Sequence, residues 1–390
     1  MSTGAVMCAN VASTLESIAA NAGRAEQERR VPDDNIAALR EAGLFRSLQP
    51  AAYGGTPMGA EEYVPALVDI AGACASTAWV SGLLAQHSHM VALMSTELQD
   101  EVWGDDPDAL ASSSVAAING CDEVGGGGVR LSGSWGWSSG CDHATWAILG
   151  FRRADPALGG MVIPFFAVVP RADYRIHDDW HTAALRGTGS KTLVLDDVFV
   201  PEHRIESIFA LSTGTTKGFG VHGGIFHAAF TNWFSLGFSA VSLGVAKRFL
   251  EVYTAKVKTR VRAYTGSNAV DNPAAAMRIA ESHHQITAVG HTLRADWEAM
   301  TARALSGSLP TDDEAVHWRA NQSYATKMSI EAVDRLWSAA GGSAYFDDNE
   351  MQRLWRDSKM TGSHAYSDYD IASQRQGRHL LGLDPDMSLF

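Results

Sequence analysis

The hydrophobic period of this chain changes twice, and the order of those changes leaves few folds open. From about residue 12 to 110, apolar residues recur every three to four positions, the spacing of helices with one buried face. Leu15, Ile18, Ala19 and Ala22 mark a first helix over 11–28, and Pro32-Asp33-Asp34 opens a second over 35–42, which Gly43 ends. Longer helices are expected over 60–73 and 76–94, with a short one over 97–103. From 110 to 201 the pattern breaks into short apolar runs at 112–118, 128–133, 145–151, 165–169 and 193–195. Gly, Pro and Asp separate them, as in a β domain. Helical spacing returns over 232–264, 273–306, 312–340 and 350–362, lengths that suit an antiparallel four-helix bundle. The expectation is a mainly α chain with a central β domain: helices over 1–110, β structure over 111–205 and the bundle over 206–390. The Gly- and Thr-rich stretch 212–224 reads as a mobile loop.

Charge and cysteine usage narrow the setting. Lys and Arg number 31 against 44 Asp and Glu, a net charge of −13, and no basic run occurs. That argues against nucleic acid or an anionic membrane as partner. No basic segment leads into an apolar core at the start of the sequence. The most apolar stretch, 234–245, is too short and too interrupted by Ser and Gly to span a bilayer. Cys8, Cys74, Cys121 and Cys141 are widely spaced and form no C-x-x-C pair, the pattern of reduced thiols in a cytoplasmic protein.

The densest chemistry lies in Trp135-Gly136-Trp137-Ser138-Ser139-Gly140-Cys141-Asp142-His143-Ala144-Thr145-Trp146. Glycines let a backbone pass close to a flat ligand, serines bond a heterocycle's edge, and tryptophans form apolar walls. A flavin ring suits such a site, and so does a plain aromatic strand pair. Neighbours along a strand face opposite ways, so Cys141-Asp142-His143 is no triad by itself. His87 and His89 lie two apart on a helix and share no face, and no further ligand at useful spacing makes them a metal site.

The domain order resembles the acyl-CoA dehydrogenase fold, and several motifs carry the likeness. They are Ala42-Gly43-Leu44-Phe45 with Tyr53-Gly54-Gly55, Leu185-Arg186-Gly187-Thr188-Gly189-Ser190 running to Asp197-Val198-Phe199-Val200-Pro201, and Gly341-Gly342 with Arg356-Asp357. Many of those dehydrogenases place a Glu base soon after the Arg-Asp pair. This chain has Ser363-His364-Ala365, and Ala365 cannot take a proton. The Trp135–Ala144 motif, the 185–190 turn and Trp355-Arg356-Asp357 followed by His364-Ala365 are similar instead to the oxygenase components of two-component flavin-dependent monooxygenases. Hydroxylases of secosteroid phenols and of p-hydroxyphenylacetate are among these. A same-fold N- or S-oxygenase, a dehydrogenase with its base elsewhere and a flavin carrier without chemistry are the alternatives.

The resemblance implies reduced FMN or FAD from a separate NAD(P)H:flavin reductase, with O2 and a phenolic or polycyclic aromatic substrate. Hydroxylation would run through a flavin C4a-hydroperoxide. It puts Ser139, with Ser138, near flavin N5, Trp137 against the ring, and His364 as a donor beside the activated oxygen. His87, in preference to His89, is the base or orienting group at the phenol hydroxyl. Arg260 falls where the fold's dehydrogenases reach flavin phosphate across a subunit boundary, which implies a homo-oligomer, usually a tetramer. Trp79, Phe226 and Phe230 are expected in an apolar shell, and the 209–227 stretch in the substrate pocket. Gly125–Gly128 precedes a strand and is no Rossmann phosphate loop, in keeping with a reductase on a separate chain.

Overall fold

The computed structural model describes residues 2–124, 127–261 and 265–385. Gly125 and Gly126 of the glycine-rich turn, with Arg262 and Tyr264, lie outside the described residues.

Among the described residues seven α-helices come first: α1 (Thr3–Ala12), α2 (Leu15–Ala20), α3 (Ala22–Glu28), α4 (Asp33–Glu41), α5 (Ala60–Ala73), α6 (Ala75–Ala92) and α7 (Thr96–Trp103). The single helix expected over 11–28 is thus a chain of short ones. The Ser13 and Thr14 hydroxyls donate back to the carbonyls of Asn10 (2.6 Å) and Val11 (2.8 Å), and such bonds compete with helix continuation. α6 differs from the rest in being buried at every residue. A helix apolar on all sides belongs in the middle of a core. α6 packs between α5, α10 and the first strand, and so carries Trp79, His87 and His89 into the interior.

Among the described residues eight strands form two four-stranded sheets. One runs β1 (Ala111–Asn119), β4 (Trp146–Asp155), β5 (Met161–Pro170), β8 (Ile205–Ser207); the other runs β2 (Asp122–Val124), β3 (Gly128–Ser138), β7 (Lys191–Pro201), β6 (Arg175–His177). Among these strands β1 and β4 pair in parallel and the other pairs are antiparallel. Leu131 and Trp135 of β3 meet Leu149 and Phe151 of β4 and Leu193 of β7 in a core separate from the helical one. Trp135 donates its indole N–H to Gly150 O at 2.7 Å.

The end of β3 breaks the alternation. Between the pairs Trp135↔Leu193 and Ser138↔Lys191, β3 carries one residue more than its partner, a β-bulge. Trp137 takes the bulge with φ 64 and stands 74% exposed, while Ser138 turns inward.

The remaining helices are α8 (Ile208–Thr213), α9 (Phe230–Trp233), α10 (Leu236–Thr259), α11 (Pro273–Leu305), α12 (Asp312–Trp337), α13 (Glu350–Thr361) and α14 (Tyr369–Leu380). α10 to α13 are the bundle. α14 was not foreseen: Asp368 caps it, accepting from the N–H groups of Asp370 and Ile371. The stretch expected to be loosest, 212–224, is tied down. α8 covers its start, and the Gly218 N–H donates to Leu93 O at the end of α6.

Candidate active site

Trp79 is the hub on which the separated motifs converge. Its indole N–H donates to Ser139 Oγ at 3.2 Å, its ring meets His364 edge-on at 5.9 Å, and Phe238 lies 5.0 Å away. His364 stacks on Phe238 at 4.0 Å. Phe234 spans the remaining gap, 6.0 Å from His87 and 6.4 Å from His364. Helix α6, the bulged end of β3 and the loop after α13 therefore bring Ser139, His87 and His364 around one aromatic cluster.

The two histidines sit in opposite tautomers. His87 Nδ1 is 2.7 Å from Ala111 O, which can only accept, so Nδ1 carries the hydrogen. Its Nε2 is left a bare lone pair, buried with no partner. His364 Nδ1 accepts from the Tyr366 backbone N–H at 3.1 Å, so in neutral His364 the hydrogen is on Nε2. Burial pushes both down to about 4, and the Arg319 charge adds to the effect at His364. At neutral pH one ring offers an acceptor and the other a donor.

His89 is not part of this cluster. It is stacked between Trp233 (5.2 Å) and Phe226 (5.7 Å), with Nε2 against Ile225 O at 3.1 Å. Phe226 follows His89, whereas Phe230 joins the cluster through Phe234 at 4.7 Å.

Behind Ser139 runs a chain of hydroxyls. Ser139 Oγ lies 2.7 Å from Ser190 Oγ, which lies 2.7 Å from Thr188 Oγ1, which donates to Leu185 O at 2.9 Å. Leu185 has φ 45, an uncommon value for a branched residue. Its N–H is held by Asp357 at 2.6 Å, and burial pushes that carboxyl up to about 6. The Arg-Asp motif near the end of the chain thus fixes the turn that backs Ser139.

Trp137, Ser138 and Arg260 lie outside the cluster. Ser138 donates to Ser112 Oγ at 3.0 Å, inside the β domain. Arg260 donates to Ala339 O and Ala340 O, each at 3.2 Å, and borders a cavity of about 530 Å³ with Tyr253 and Arg278. It follows the far end of α10 from Phe238, roughly 30 Å along a helix axis rising 1.5 Å per residue.

Arg319 was missed in the sequence. It donates to Tyr366 O, to Ala365 O at 2.9 Å and to Ser323 Oγ at 2.7 Å, and lies 4.9 Å from the Tyr366 ring, clamping the loop that holds His364. Phe234 and Phe238 were missed too; the signal that could have found them is the recurrence of Phe230, Phe234 and Phe238 every four residues. Burial pushes the Cys141 thiol up to about 12, so it is no nucleophile at neutral pH. Among the described residues no group of three His, Cys, Asp or Glu is placed for a metal, and no helix is long and apolar enough to cross a membrane.

Known proteins share this architecture along its whole length. Residues 9–105 match the family model for the acyl-CoA dehydrogenase N-terminal domain, and residues 236–369 match that for its C-terminal domain. The oxygenase component of p-hydroxyphenylacetate 3-hydroxylase from Acinetobacter baumannii is 48% identical over 389 residues, 99% of this chain and 92% of that protein. The crystal structure of 3-HSA hydroxylase from a Rhodococcus species superposes with a TM-score of 0.91 at 35% identity, covering 97% of each chain. XiaF from a Streptomyces species, solved in complex with FADH2 and glycerol, gives a TM-score of 0.89 at 27% identity, covering 99% of this chain and 98% of that one. With whole-length identity at that level and the same fold, the chain belongs to the oxygenase components of two-component flavin-dependent aromatic hydroxylases, built on the acyl-CoA dehydrogenase fold.

Proposed function

We propose that this protein hydroxylates the ring of a phenol with O2 and reduced FMN or FAD, which a separate NAD(P)H:flavin reductase supplies. The observation that carries the reading is the opposed pair of tautomers, an acceptor at His87 Nε2 and a donor at His364 Nε2, on one buried aromatic cluster.

The residues present suit a flavin. Ser139 Oγ retains hydrogen-bonding capacity at the edge of the cluster. Trp137 offers an exposed indole two residues away, held in a left-handed backbone that a bulky residue adopts only under constraint. When bound, reduced flavin supplies the two electrons and the activation of O2, so that one oxygen atom enters the ring and the other leaves as water. The chain's own residues orient and move protons. His87 Nε2 accepts the hydrogen bond of the phenol hydroxyl and takes its proton as the ring is attacked. A weak base is enough there, because the hydroxyl becomes strongly acidic once the ring gains positive charge. His364 holds its Nε2–H toward the oxygen side, steadied by Arg319 through the backbone of Ala365 and Tyr366. Trp79, Phe234 and Phe238 keep water away. The likeness of the chain to a hydroxylase of p-hydroxyphenylacetate supports a phenolic substrate.

A homotetramer completes the proposal. Arg260 is too far along α10 to serve its own cluster and is the residue we assign to flavin phosphate in a neighbouring subunit. Met277, Tyr324 and Leu381 of the helical region expose apolar surface that such an assembly would cover. The four free cysteines suit a cytoplasmic setting.

The test is a single turnover. Anaerobic protein is loaded with reduced FMN and p-hydroxyphenylacetate, mixed with oxygenated buffer, and analysed for hydroxylated product and hydrogen peroxide. Ring-hydroxylated product is the expected outcome, and a panel of larger phenols then ranks substrates. Peroxide alone across the whole panel, with either flavin, would overturn the reading. A dehydrogenase is disfavoured because Ala365, where a base would stand, offers only its carbonyl, already taken by Arg319.

A further inference from the structure

The hydroxyl chain behind Ser139 has one way to place its protons. Leu185 O can only accept, so the Thr188 hydroxyl spends its hydrogen there, at 2.9 Å. Ser190, 2.7 Å from Thr188 Oγ1, must then donate to it. Ser139, 2.7 Å from Ser190, must in turn donate to Ser190. Three oxygen–oxygen contacts are filled by three hydroxyl hydrogens, and reversing any link would press two lone pairs together. The Trp79 indole is a donor only, and it takes one lone pair of Ser139 Oγ at 3.2 Å. A single lone pair is what Ser139 has left. It can receive one more hydrogen bond and can give none. Thr188, Ser190, Ser139 and Trp79 are all buried, at 2%, 4%, 6% and 8% exposure, so bulk water does not reshuffle the order.

We propose that Thr188 and Ser190 are positioning residues that hold Ser139 as an acceptor, and that this makes the site select reduced over oxidised flavin. The inference rests on the flavin reading above, with Ser139 facing N5. Reduced flavin carries a hydrogen on N5 and donates; oxidised flavin has only a lone pair there and accepts. An acceptor-only Ser139 pairs with the first and opposes the second. An oxygenase that draws its flavin from a separate reductase needs that discrimination, since the oxidised form must leave for the next reduced one to enter.

The experiment reads binding, not turnover. Dissociation constants for oxidised and for reduced FMN are measured anaerobically on the full-length wild type and on Ser190→Ala, Thr188→Val and Thr188→Ser. Wild type should favour reduced FMN. In Ser190→Ala and Thr188→Val the Ser139 hydrogen is released and can turn outward, so the oxidised-to-reduced ratio should fall about fivefold, the worth of one net hydrogen bond. Thr188→Ser keeps the hydroxyl and should restore the wild-type ratio, which a purely structural role of Thr188 does not require. Melting temperatures identify any variant that fails to fold, and the two disrupting variants stand in for each other. A ratio unchanged in both overturns the proposal. Equal affinity of the wild type for both forms also overturns it while leaving the flavin reading intact. A wild type that binds neither form overturns the flavin reading and this inference together.

Discussion

Replacing His87 with asparagine separates the duties of its two ring nitrogens. The asparagine amide can stand where Nδ1 stands and keep donating to Ala111 O, while Nε2 disappears. The retained bond preserves its net worth of about 1 kcal/mol. Removing Nε2, buried with no partner, relieves roughly 1–3 kcal/mol of unmet desolvation, but the asparagine Oδ1, placed where a ring carbon stood, brings back a similar amount. Against this, the ring's contact with Phe234 at 6.0 Å is lost, and truncating a buried ring opens space at a comparable cost, about 1–3 kcal/mol. The truncation cost is what remains, which leaves His87→Asn about 1–3 kcal/mol below wild type in urea denaturation. Activity should respond differently. Loss of a general base slows hydroxylation by about 10²- to 10⁴-fold, which is roughly 3–5 kcal/mol of barrier. The deficit should also depend on pH. A phenol ionises near about 10, so each unit above neutrality gives about tenfold more phenolate, which needs no base. Product per reduced flavin at pH 7 and pH 9, with His87→Asn and wild type side by side, measures this. Undiminished hydroxylation at pH 7 would refute the assignment. So would a stability loss above about 4 kcal/mol, which would mark His87 as a packing residue.

His89, also pushed down to about 4 by burial, stays neutral when folded but titrates near 6.5 when unfolded. The unfolded chain binds the extra proton between those values, so the contribution is complete above pH 6.5 and drains away as pH falls toward 4, at up to about 1.4 kcal/mol per unit. In His89→Leu the acid-side slope of stability should be shallower by that amount, and denaturant midpoints from pH 7 to pH 4.5 will tell; an identical slope refutes the buried neutral ring. Arg319→Gln removes the clamp on Ala365 and Tyr366 and the charge that helps keep His364 unprotonated. More peroxide per hydroxylated product is expected, with the acid limb of coupling moved to higher pH, and an unmoved limb would remove Arg319 from the site. Asp357→Asn keeps an acceptor for the Leu185 N–H and should change the melting free energy by under about 1 kcal/mol, whereas Asp357→Leu orphans it and should cost about 1–3 kcal/mol. Equal effects of the two in calorimetry would show that the bond carries no weight.

The architecture was legible because periodicity reports burial. Three blocks of spacing became helices, two sheets and a bundle, and the strands from Ala111 and helices from Pro273 begin close to where apolar runs suggested. What failed had local causes. Residues 11–28 scan as one helix, but the hydroxyls of Ser13 and Thr14 cap the turn before them, a side-chain bond that apolar spacing cannot reveal. Trp137 scans as a strand residue on the same face as Trp135, two positions away. One extra residue in β3 reverses that, and a bulge depends on the partner strand, which is far off in the chain. His87 and His89 were separable in principle only as lying on different faces of one helix. Which face met the aromatic cluster was decided by α9 and α10, more than a hundred residues downstream. Arg319 resembled any other helix cation, because what sets it apart is the pair of carbonyls it touches. Of Phe230, Phe234 and Phe238, spaced by four, only Phe230 was singled out, although the spacing itself is visible in the sequence.

The contact between the Leu185 N–H and Asp357 joins residues 172 apart in sequence, and Ser139, His87 and His364 come from all three blocks of the chain. Loops of that length close slowly, so contacts of this kind come late in folding. During synthesis, α6 and the β domain emerge long before residue 357 can reach the turn it steadies, and a nascent chain has no site until its last helices have docked. Unfolding can run the same route backward: undocking of α13, which carries Asp357, together with the loop after it releases the turn and His364, while the sheets and α6 stay intact. The pocket is therefore expected to be among the last parts of the molecule to assemble and, under heat or denaturant, among the first to come apart.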